Sequence, residues 1–103
     1  MADPMRVRAL EQAGVTEVKI LMRHDMETGQ RKDADGKIIP AHFIQSVSVT
    51  YRDKEVLSAQ FGTAISKDPF LAFKFKGGVK GEKVSISWVD NKGDTRADEA
   101  TIL

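Results

Sequence analysis

Cysteine is absent from the 103 residues. That absence removes disulfides, thiolate nucleophiles, dithiol redox chemistry and cysteine-held zinc or iron. Also missing is a run of about 18 apolar residues, which a membrane span requires. The amino terminus has no basic stretch leading into an apolar one, so neither a membrane segment nor a signal peptide is expected. Charge of one sign is lacking too. There are 16 basic and 15 acidic residues for a net charge of +1, and Lys and Arg alternate with Asp and Glu along most of the chain. Nucleic-acid binders normally carry a basic face, so nucleic acid is not an expected partner. Convincing helical periodicity is found nowhere.

What remains is a chain long enough for one domain, residues 1–103, with one core. Alternation of apolar and polar residues recurs with the period of a strand. The expected strands cover 5–10, 16–23, 43–52, 55–61, 70–76, 82–90 and 95–102. Val18, Ile20 and Met22 share one face of the second strand, Val47, Val49 and Tyr51 one face of the third, and Val84, Ile86 and Trp88 one face of the sixth. Strands three and four read as a hairpin turning at Asp53-Lys54, and 90–94 as the turn of another. The last strand is mostly polar, as suits a sheet edge. Seven short strands with turns at this spacing predict an all-β, immunoglobulin-like antiparallel β-sandwich. A small barrel is the alternative.

One connection is too long for an ordinary turn. Residues 23–43 are charged, yet Met26, Ile38, Ile39 and Phe43 punctuate them with apolar side chains that a solvated linker does not need. Asp35-Gly36 supplies turn chemistry, and Pro40 holds the chain extended before the next strand.

Chemistry is scarce. His24 and His42 bracket the long connection. Each is expected at a strand end, bonding backbone or water; the alternative joins them to Asp25 or Glu27 as a two-histidine, one-carboxylate metal set. No metal, cofactor or catalytic residue is expected. The serines have no paired histidine nearby, and Gly77-Gly78-Val79-Lys80-Gly81 lacks the spacing of a phosphate loop and reads as a hairpin turn. Phe73, Phe75 and Trp88 are expected in the core. Phe70, on the opposite face of its strand, is either packed under a loop or exposed for contact. The residues alone describe a β domain without an evident active site, one that works by presenting edges and a loop.

Several stretches go further. Residues 24–40, reading HDMETGQRKDADGKIIP, then Ser66-Lys67-Asp68-Pro69-Phe70 and the run from Val84 to Gly93, together resemble the Z subunit (SoxZ) family of the bacterial sulfur-oxidising (Sox) carrier complex. The likeness runs from about Arg6 to Ile102. It implies an immunoglobulin-like sandwich that is not an enzyme but a scaffold, paired as a heterodimer with a SoxY-like subunit whose carboxyl-terminal cysteine carries sulfur intermediates. It also implies transient contacts with other Sox enzymes, and export to the periplasm folded on the partner. Where many members have proline after the histidine, this chain has Asp25. Met26, Ile38, Ile39 and Phe70 are the expected partner-binding residues, and the isolated subunit is expected to self-associate when its partner is absent. The alternative is a free-standing β-sandwich binding domain with no obligate partner.

Overall fold

The computed structural model describes residues 3–103. Its seven strands are β1 (Arg6–Gln12), β2 (Val15–Leu21), β3 (Ile44–Tyr51), β4 (Lys54–Gln60), β5 (Phe70–Lys76), β6 (Lys83–Asp90) and β7 (Thr95–Thr101). Every pairing between strands is antiparallel, and no helix occurs among the described residues. One sheet has the order β1-β2-β5, the other β4-β3-β6-β7. Compared with the constant-type immunoglobulin sandwich, the fourth strand has moved across. It pairs with β3 and not with β5, so the sheets hold three and four strands.

Alternation has done what the sequence predicts. Val18, Ile20 and Met22 on one side, and Val47, Val49, Val84, Ile86 and Trp88 on the other, interleave as the core, nearly all of them without solvent contact. Burial at about 25 cal/mol per Å² of apolar surface is what draws the two faces together. β7 is an edge strand, as its polar pattern suggests.

Two turns depart from expectation. The β3–β4 hairpin pairs Tyr51 with Lys54 and turns on Arg52-Asp53, both at positive φ, one residue earlier than expected. Two such residues form the turn whose twist matches the flanking strands. The glycine-rich stretch 77–81 is no hairpin, because β5 and β6 lie in different sheets and the stretch crosses between them. Within it Gly78 sits at φ +92°, and a Cβ there would stand 1.9 Å from Thr16 Oγ1. The buried Thr16 hydroxyl donates to the Gly77 carbonyl at 2.7 Å, so the crossover is strapped onto β2.

The two long sides of the sandwich differ. Along β1 and β7 the carboxyl-terminal residues close the gap: Leu103 N–H donates to Ala9 O, Glu11 N–H to Leu103 O, and Ile102 is fully buried. Along β4 and β5, Val56, Leu57, Leu71, Phe73 and Phe75 are only half-buried. The Phe73 and Phe75 rings, 6.4 Å apart, sit on that looser side.

Candidate functional site

The long connection is an ordered two-stranded arm. Glu27 and His42 exchange backbone hydrogen bonds at its base, and Ile39 N–H reaches Arg31 O further out. At the tip Asp33 Oδ1 accepts the N–H groups of Asp35 and Lys37, which closes the turn that Asp and Gly36 were expected to make. The arm helps give the molecule a long axis of 54 Å against 20 and 19 Å.

Its root is built on Asp90. This side chain, the last of β6, is 2% exposed and collects four donors. Oδ1 accepts the backbone N–H groups of Lys92 and Asp94, shaping the β6–β7 turn. Oδ2 accepts His24 Nε2 at 3.0 Å and His42 Nε2 at 2.7 Å. The two imidazoles meet edge to face at 4.4 Å, and His24 also stacks edge-on to Trp88 at 5.3 Å. Asn91 adds a second tie: its Nδ2 donates to Ala41 O, and its Oδ1 accepts Phe43 N–H. Burial works to raise the Asp90 pKa, but the bonds from His24, His42 and the Asp94 and Lys92 amides outweigh it and hold the carboxyl down at about 2.

The third group between the histidines is therefore Asp90, and neither Asp25 nor Glu27. Asp25 is exposed, and Glu27 is engaged by Arg31, whose hydrogen bond holds it below the ordinary carboxylate range. Through Nε2 both imidazoles share a carboxylate, 66 and 48 residues away in sequence, and His24 also bonds the backbone, as expected, at the Met26 N–H.

The cluster has the composition of a metal site, since two ring nitrogens and a carboxylate oxygen lie within 4.8 Å of one another. Its hydrogen bonds oppose that use. A metal-bound imidazole donates its other N–H to an acceptor, whereas His24 Nδ1 accepts the Met26 N–H at 3.0 Å. The His24 proton thus resides on Nε2, aimed at Asp90. With every lone pair of Asp90 occupied, the cluster reads as a pin that fastens both ends of the arm to the sandwich. Outside it opens a cleft of about 450 Å³, lined by charged groups that include Arg23, Asp25, Lys67, Asp68 and Asp94.

The four expected partner residues divide. Met26 is 5% exposed, at φ +52°, with its sulfur accepting Ile44 N–H. It is an anchor of the arm in the core and has no surface to offer. Ile39 is half-buried, while Ile38 and Phe70 stand 61% and 62% exposed. Asp90 and Asn91 were legible only as turn residues, since nothing local ties them to the histidines.

Fold and site together define an all-β sandwich domain bearing one pinned arm. The family model described as "Sulphur oxidation protein SoxZ" matches residues 5–101. The chain belongs to that family, which gives it a role in sulfur oxidation. No curated protein gives a significant match.

Proposed function

We propose that the chain is the non-catalytic scaffold subunit of a sulfur-carrier heterodimer. Its partner is a SoxY-like subunit that bears the sulfur intermediates on a cysteine, and the pair is exported to and works in the periplasm. The family match carries this reading. A chain without cysteine has no thiol of its own for sulfur cargo, so the cargo sits on the partner. Among the described residues the one histidine–carboxylate set fastens the arm, with both ring nitrogens of His24 and both oxygens of Asp90 bonded within the protein. On this reading the arm presents Ile38 and Ile39, with Phe70 as a further anchor, and brief contacts with other Sox enzymes use surfaces that the partner leaves open.

Co-expression of the tagged chain with a SoxY-like subunit tests it. The two are expected to elute together in equal amounts, with the partner's intact mass raised by sulfur adducts. Recovery of the chain alone, or only with copies of itself, overturns the heterodimer in favour of a free-standing binding domain.

A further inference from the structure

Charges that are mixed along the sequence separate on the surface. The registers of β1, β2 and β5 place Arg6, Arg8, Lys19, Lys74 and Lys76 on the outer face of the three-stranded sheet, with Glu17 as the one carboxylate among them. That face has a surplus of four positive charges, where the whole chain has +1. Lys19 approaches Glu17 at 3.8 Å in an exposed pair, which is worth little. Among the described residues the other four cations make no ion pair.

Two large apolar residues of this face, Leu21 and Phe70, stand side by side at one end, whereas Leu10 lies beside Glu17 in the middle and Val15 at the far end. Arg6, Leu21 and Phe70 form one row across the three strands, and Arg8, Lys19 and Ala72 the next. A shallow cleft of about 210 Å³ lies between the two arginines, Lys19, Leu21 and Phe70. An exposed phenyl ring that shares one cleft with two guanidinium groups has the make-up of an interface centre, where aromatic residues and arginine are enriched. Arginine also offers a fork of donors that fits a carboxylate with two parallel bonds.

We infer that this end of the sheet docks a carboxylate-rich protein segment, one that lays an aliphatic or aromatic side chain on Phe70 and Leu21 and sets its acidic groups against Arg6, Arg8 and Lys19. The inference rests on the reading that the chain works through protein contacts, and it gives the partner at Phe70 a chemistry. Single-stranded nucleic acid fits less well. It needs successive stacking platforms, and Phe70 is the only strongly exposed aromatic among the described residues.

The test is a titration of the isotope-labelled full chain with a capped peptide, Glu-Glu-Phe-Glu-Leu-Glu, followed by backbone amide shifts. A peptide with lysine in place of glutamate and a thymidine oligonucleotide serve as comparisons. The acidic peptide is expected to shift Arg8, Lys19, Leu21 and Phe70. Its affinity should fall several-fold as salt rises from about 20 to 200 mM, and by about tenfold in Arg8→Glu and in Phe70→Ala. Both side chains are exposed, so each variant should keep the native spectrum. The inference is overturned by equal binding of the lysine peptide or the oligonucleotide, by shifts confined to the arm or the cleft, by absence of binding, or by a response that proves to be self-association abolished in Phe70→Ala. Because the probe is a peptide added to the chain itself, its failure leaves the heterodimer standing, and failure of the heterodimer leaves this result standing.

Discussion

The root and the outer half of the arm belong to one pair of strands and are held by opposite means. At the root, Met26, His24 and Asp90 are buried, and both ring nitrogens of His24 and both oxygens of Asp90 are bonded within the protein. Further out, residues 31–38 are all exposed, and the bonds that close this half lie within the arm itself: Asp33 Oδ1 to two amides, Asp33 N–H to Lys37 O, Gly36 N–H to Asp33 O and Ile39 N–H to Arg31 O. A buried polar network is costly when incomplete and rigid when complete. The root therefore fixes where the arm points, and the outer half is left free to vary in what it touches. A surface meant for a partner can be anchored in this way without placing its contact residues in the core.

Removing the centre of the root tests the contrast most strongly. Asp90→Ala strands two imidazole donors and two amides, and about 3–5 kcal/mol of unfolding free energy should be lost in chemical denaturation. A loss below about 1 kcal/mol would erase the distinction between root and tip. Met26→Ala follows, at roughly 2–4 kcal/mol for a truncated core side chain that also gives up its hold on Ile44 N–H.

Acid sharpens the comparison next. The Asp90 carboxyl is held at about 2 in the folded chain against an ordinary 3.8. Its stabilisation is therefore present above about pH 4 and lost as pH falls through 2, an effect of about 2 kcal/mol. Denaturation of the native chain across that window should show this slope, and Asp90→Asn should flatten it. An unchanged slope would mean that other carboxylates carry it. The smallest effect on stability belongs to the outer half. Ile38→Ala with Ile39→Ala should alter the unfolding free energy by no more than about 1 kcal/mol, yet weaken a SoxY-like partner at least about tenfold. Unchanged affinity would move the interface off the arm.

The strands could be read from the chain because alternation is local: Val18, Ile20 and Met22 face inward whatever the rest does. So could the need for order in the long connection, since its apolar residues had to go somewhere. Which of them went inward could not. Met26 and Ile38 look alike in sequence, and only the tertiary hold on Met26 separates them, through His24 two residues before it and Ile44 eighteen after. Asp90 was visible as a turn residue for the same reason that its histidines were not: the turn lies within four residues, the imidazoles 48 and 66 away. The sheet to which 77–81 leads, and the gathering of cations on one face, likewise depend on which strands become neighbours.

Gly78 and Thr16 carry a consequence for how such a chain can diverge. The glycine leaves room for a hydroxyl that would otherwise be 1.9 Å from a side-chain carbon. Any residue but glycine at 78 would first need a smaller one at 16, and the left-handed backbone at 78 would still resist it. Across descendants of this sequence, Thr16 can therefore shrink to serine with its bond to Gly77 O kept, while Gly78 cannot grow. Variation should enter this pair from one side only, with the glycine as the slower clock.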